Sequence, residues 1–164
     1  MATTRVTATP GTPFIEVERE FDAPREVVFR AWTDPKLVAR WLGPRRLQMR
    51  VDYWELDDHG GSYRYIHSGE DGIEHAFHGS FHRTGADPYT LLQTFEYEGA
   101  PGYVSLDELK LVEAGGKTVA RLRSVHQTVE ARDAMVASGM SEGMNDGFER
   151  LDELLASELS TSAR

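Results

Sequence analysis

The sequence contains no cysteine. Disulfides, thiolate nucleophiles and zinc–thiolate sites are therefore excluded at the outset. Basic residues are in short supply: 18 lysines and arginines face 27 aspartates and glutamates, a formal net charge of −9. A surface of that sign repels phosphate backbones and anionic lipid, so neither nucleic acid nor membrane is an expected partner. The run Pro44-Arg45-Arg46 is too short to form a basic patch. No apolar stretch approaches the roughly 20 residues that span a bilayer. Residues 1–13, rich in Thr, Ala and Pro, lack the apolar centre of a signal peptide. The chain is expected to be cytoplasmic, with residues 1–12 a flexible N-terminal tail and 160–164 a disordered C-terminal one.

What is present suits one globular domain, expected over 13–159. Hydrophobic residues make up 40% of the 164 and charged residues 27%, an ordinary balance for a chain with a packed core. Phe14 to Phe21 alternates after its first two residues and predicts a strand. Asp22-Ala23-Pro24 then supplies a helix start, and Val27, Val28, Ala31 and Trp32 follow at helical spacing. Thr33-Asp34-Pro35 repeats the device, with Asp34 as N-cap, before the stripe Leu37, Val38, Trp41, Leu42 and the stop at Gly43-Pro44.

From Leu47 to Thr128 the period changes to two. Strands are predicted over 46–57, 61–68, 73–84, 89–98, 103–113 and 117–127, separated by short Gly-, Asp- and Pro-rich turns. Turns that short dictate an antiparallel meander, because a parallel crossover needs a dozen or more residues. The helical period returns over about 129–158, on the stripe Val136, Met140, Met144, Leu151 and Leu155. The order is strand, two short helices, six strands, long helix: an α+β domain with seven strands.

The long helix has two chemically different halves. Its C-terminal half carries leucines. Its N-terminal half sets Met135, Met140 and Met144 beside Gly139, Gly143 and Gly147, four residues apart and so on one face. Each glycine inside a helix costs about 0.8–1 kcal/mol relative to alanine. Either a close approach to a neighbouring element or a void lined by adaptable methionines would offset that cost.

Val28-Phe29-Arg30-Ala31-Trp32-Thr33-Asp34-Pro35, followed by Trp41-Leu42-Gly43-Pro44, resembles the signature of the heat-shock protein 90 ATPase activator homologue family. That family belongs to the START-like, or Bet v 1-like, superfamily, which includes polyketide cyclases. Phe77-His78-Gly79-Ser80-Phe81, Gln93 to Gly99 and the segment from Gly139-Met140 to Leu154-Leu155 extend the resemblance over about Phe14 to Leu155. It implies a helix-grip fold: a curved seven-stranded antiparallel sheet around the long C-terminal helix, with a deep cavity between them. The family pattern often has a second aromatic where this chain has Leu42, a departure that would widen the cavity mouth. Co-chaperone members of the family owe that role partly to a separate N-terminal domain, which this chain is expected to lack.

The function this implies is binding of a small lipophilic or aromatic molecule, without turnover and without a cofactor. The expected lining is Trp41, Leu42, Phe77, Phe81, Phe95, Met135, Gly139, Met140, Gly143, Met144 and Phe148, with Trp32 in the core. An enzyme of cyclase, aromatase or hydrolase type is the alternative, with His78, His82, Tyr65 or Arg123 as polar candidates in the same cavity. The parity of their strand turns Phe77 and Phe81 inward and His78 and His82 outward. His78 and His82 would also lie roughly 13 Å apart on a strand, too far to share a metal ion. Asp107-Glu108 and Asp57-Asp58 are expected as solvated charges at or near turns. A third alternative is a module that stimulates a chaperone ATPase through a chaperone partner; a homodimer is compatible with all three.

Overall fold

The computed structural model describes residues 2–82 and 87–163. Its strands are β1 (Arg5–Thr7), β2 (Phe14–Phe21), β3 (Gln48–Asp57), β4 (Gly60–Ser68), β5 (Glu74–His82), β6 (Thr90–Tyr97), β7 (Val104–Ala114) and β8 (Lys117–Val125). The helices are α1 (Arg25–Thr33), α2 (Pro35–Val38), α3 (Val129–Ala137) and α4 (Met140–Ser162). The predicted end of β5 at residue 84, the turn residues Gly85 and Ala86, and the terminal residues Met1 and Arg164 lie outside the described residues.

The strands form one antiparallel sheet in the order β1-β2-β8-β7-β6-β5-β4-β3. The meander from β3 to β8 follows the turn signals. Because β2 pairs with β8 while β3 lies at the far edge, the chain between them must cross the whole sheet, and α1 and α2 make that crossing. Val28 and Ala31 of α1 and Leu37 and Val38 of α2 are buried. Asp34 caps α2 by accepting from the Lys36 amide at 3.0 Å, with Pro35 at the first position. Helix α4 contributes Phe148, Leu151, Leu154 and Leu155 to the core. The helix-grip arrangement expected from the resemblance is present. Among the described residues no helix is long and apolar enough to cross a membrane.

Three features differ from expectation. The sheet has eight strands, not seven, because Arg5–Thr7 of the expected tail pairs with β2, Val6 opposite Val17. The predicted long helix is two helices, broken at Gly139, whose φ of 82° is left-handed. It also ends later, at Ser162, so most of the expected C-terminal tail is helical.

Strand β3 contains a local irregularity that shapes the interior. Its register with β4 shifts between Val51 and Tyr53, a one-residue bulge at Asp52. A bulge reverses the alternation, so Met49 before it and Trp54 after it both pack against the core despite opposite parity.

Candidate ligand-binding cavity

Between the concave face of the sheet and α3–α4 lies a cavity of about 400 Å³. One wall is an aromatic ladder: Tyr65 of β4 stacks on Phe77 of β5 at 5.1 Å, and Phe77 on Phe95 of β6 at 5.4 Å. The opposite wall is Met135 of α3 with Met140, Met144 and Phe148 of α4. Trp32, Trp41 and Trp54, the three tryptophans of the chain, all border the space. Two are fixed by their indole N–H: Trp41 donates to the Ala31 carbonyl at 2.9 Å and Trp54 to the Thr33 carbonyl at 3.0 Å. The end of α1, where carbonyls lack intrahelical partners, thus orients two cavity walls.

Nine of the eleven residues expected to line the cavity do so: Trp41, Leu42, Phe77, Phe95, Met135, Met140, Gly143, Met144 and Phe148. Trp32, expected in the core, lines it as well. Phe81 sits behind the wall, 3% exposed and 5.0 Å from the rings of Trp54 and Tyr63. Gly139 is at the α3–α4 junction and does not reach the space.

The three glycines, alike in sequence, have three separate reasons. Gly139 supplies the left-handed residue that ends α3. A Cβ on Gly143 would meet nothing nearer than Pro44 Cδ at 4.0 Å, so this glycine leaves open space at the cavity. A Cβ on Gly147 would stand 3.2 Å from the Trp41 carbonyl oxygen and 3.4 Å from the Gly43 amide nitrogen. Here α4 approaches the loop after α2, and Arg150 fastens the two by donating to the carbonyls of Gly43 at 3.1 Å and Arg40 at 2.9 Å. Both explanations open at the level of sequence, close approach and void, therefore apply, at different residues.

The polar residues sort by face. His78 stands on the outer face against Glu98 at 3.0 Å and Glu96 at 3.5 Å. His82 is exposed. The Arg123 guanidinium lies over the Phe14 ring at 4.0 Å and 3.9 Å from Glu16, on the outer face too. Of the four expected polar candidates Tyr65 and Arg123 border the cavity, Arg123 with its guanidinium turned away, and burial holds the Tyr65 phenol well above its ordinary pKa.

Other polar side chains do enter. Asp107, expected as a solvated charge, is instead in the middle of β7 and faces inward between Gln93 of β6 and Ser124 of β8, its register partners. The reason is parity: Leu109 and Leu111 are buried, so Asp107 and Ser105 must share their face. That signal was present in the sequence. Burial pushes the Asp107 carboxyl up from 3.8 to about 6 against the opposing pull of the Ser105 and Ser124 hydroxyls. Gln93 donates to the Tyr63 hydroxyl at 3.1 Å, which donates to the Thr94 carbonyl at 2.6 Å.

Two imidazoles also line the space. His67 packs its ring over Gly43, where any Cβ would collide with it at 2.5 Å, and burial pulls its pKa down to about 4. His126 is lowered by burial and by nearby Arg132. His67 Nε2, Asp107 Oδ1 and His126 Nε2 are buried without a protein partner. The cavity is thus apolar in area but carries a few polar atoms whose hydrogen bonds the protein leaves unmade. Among the described residues no group of three or more His, Asp or Glu side chains could hold a metal ion.

The family model described as activator of Hsp90 ATPase homolog 1-like protein matches residues 22–156. No curated protein matches the chain by sequence. Among solved structures, a Rhodobacter sphaeroides protein is 28% identical with a TM-score of 0.84, the match covering 94% of this chain and 99% of that one. An Arthrobacter aurescens protein solved by NMR is 26% identical with a TM-score of 0.83, covering 93% and 91%. A Mycobacterium smegmatis protein at 22% identity shares the fold, with a TM-score of 0.82 over 94% and 97%.

Proposed function

The chain belongs to the activator of Hsp90 ATPase homolog 1-like family, and on that premise we propose that it binds a small lipophilic or aromatic molecule in the cavity between sheet and helices. At the level of its superfamily the fold is a ligand-binding domain. The observation that carries the finer reading is the cavity itself: about 400 Å³, walled by stacked aromatics on one side and methionines on the other. That volume lies in the range of small-molecule sites. Methionine's flexible, polarisable side chain suits a wall that must adapt to a ligand.

Gly143 gives the test. Its backbone is helical and its side-chain direction is open, so Gly143→Leu fills the cavity without straining the helix. The neutral fluorophore N-phenyl-1-naphthylamine should bind the natural protein saturably, with quenching of the cavity tryptophans, and should lose that binding in the variant. Equal affinity in a folded Gly143→Leu protein would count against the cavity as the site.

A further inference from the structure

An apolar pocket needs no carboxylate at its floor, yet this one has Asp107. The residue has a hydroxyl on either side, Ser105 two residues before it on the same strand face and Ser124 directly opposite on β8. Gln93 stands opposite on β6. These four make a polar island that spans three strands and is surrounded by Phe95, Leu109 and Leu122. Within it, Asp107 Oδ1 is buried with no protein partner.

We propose that this island is a head-group site, so that the molecule held in the cavity is an amphipathic cation: an ammonium or strongly basic nitrogen against Asp107, and an apolar body between the aromatic ladder and the methionines. This rests on the reading of the cavity as a ligand site and adds the chemistry of what fills it.

A buried carboxylate without a counter-charge is destabilising, and a charge-assisted hydrogen bond from a cation is its strongest relief. Among the described residues no lysine or arginine forms an ion pair with Asp107; Arg123, on the neighbouring strand, is turned outward onto Phe14 and Glu16. The two imidazoles that share the cavity, His67 and His126, are both shifted toward their neutral forms. The hydroxyls and the amide of the island are groups that orient a polar head without neutralising it. Attraction also works at long range, since the chain carries a net charge of −9. An anionic ligand such as a fatty acid is disfavoured on the same grounds: its carboxylate would face Asp107 with no protein cation between them.

Three probes of one shape separate the possibilities: 4-phenylbutylamine, 4-phenylbutanol and 4-phenylbutyrate. Binding is followed at pH 7.5 through the fluorescence of Trp32, Trp41 and Trp54, all of which border the cavity. The amine should bind at least about tenfold more tightly than the alcohol, and the acid most weakly. Asp107→Asn should collapse the ratio of amine to alcohol affinity toward one, whereas Asp107→Glu, which keeps the charge, should retain a preference for the amine. The ratio is the readout, and thermal melting confirms that each variant is folded. If amine and alcohol bind the natural protein alike, the head-group site is wrong and the cavity reading survives. A preference for amine that persists in Asp107→Asn would trace to overall charge and overturns the inference as well. If none of the probes binds at millimolar concentration, the cavity reading falls and this inference with it.

Discussion

Gly139, Gly143 and Gly147 are spaced identically and look interchangeable, yet the structure predicts that alanine at each has a different effect. Gly143→Ala gains the full difference in helix propensity, about 0.8–1 kcal/mol, because the new methyl meets nothing nearer than 4.0 Å. For a domain of this size that corresponds to a rise in Tm of about 2–4 °C. Gly147→Ala gains the same propensity but sets its methyl 3.2 Å from the Trp41 oxygen and 3.5 Å from the Gly43 oxygen. Those are backbone atoms, which cannot swing aside as a side chain would, and Arg150 pins this loop through the carbonyls of Gly43 and Arg40. Overpacking of this kind costs about 1–3 kcal/mol, leaving a net loss between zero and about 2 kcal/mol. Gly139→Ala has room, but must place an L-residue at φ 82°, a conformation that costs roughly 1–2 kcal/mol. Urea unfolding of the three single variants beside the natural protein reads all three signs. If all three are stabilised alike, the break at Gly139 and the close approach at Gly147 are wrong, and helix propensity alone describes the segment.

Two further predictions concern the charges on the inner face. Asp107→Asn should stabilise the unliganded protein at neutral pH. With the carboxyl raised from 3.8 to about 6 by burial, the folded state holds its proton more tightly, so the native residue's favourable contribution exists below pH 3.8 and is lost as pH rises through 6. At about 1.4 kcal/mol for each tenfold change in ionisation, the variant's advantage should grow across that window to about 3 kcal/mol at most. Urea melts at pH 4 and pH 7.5 would refute this by showing no difference between the two. Arg19, 2% exposed on β2, donates to both oxygens of Asp152 at 2.7 and 2.6 Å. Asp152→Asn should therefore cost about 2–4 kcal/mol, below the full effect of breaking a buried pair because Asp152 itself is partly exposed. A loss under about 1 kcal/mol would mean that water reaches the guanidinium.

The fold was largely legible in the sequence because its information is local. Each meander turn carries its own Gly, Asp or Pro, and α2 announces itself through Asp34 and Pro35. What escaped depends on partners distant in the chain. Arg5–Thr7 is a strand only because the free edge of β2 lies beside it. The methionine stripe continues in phase across Ser138-Gly139, so spacing alone gives no sign that the helix changes direction there. The bulge at Asp52 leaves no mark in composition, yet it decides that Met49 and Trp54 share the interior. The apolar walls of the cavity followed from pattern, whereas the polar floor was missed by weighing Asp107 as a residue type and not by its register with Leu109 and Leu111. The place of His67 over Gly43 likewise depends on a contact that no strand pattern encodes.

The inner face of the sheet carries a buried cation, Arg19, and a half-buried carboxylate, Asp107, and the contrast between them bears on function. Arg19 has a bidentate partner in Asp152 and lies 4.6 Å from the Phe21 ring centroid, so its charge is neutralised within the fold although its Nε has no partner. Asp107 has hydroxyl and amide neighbours but no cation, and one of its oxygens has no partner at all. Its cost of up to about 3 kcal/mol, with about 1 kcal/mol more at Gly143, is a sizeable share of the 5–15 kcal/mol that holds a typical domain together. Both costs fall on the cavity; the Ser105 and Ser124 hydroxyls offset the first only in part, and the side-chain direction of Gly143 is open. A bound molecule that neutralises Asp107 and occupies the space beside Gly143 would offset both, which ties two costly features of the fold to the function proposed for it.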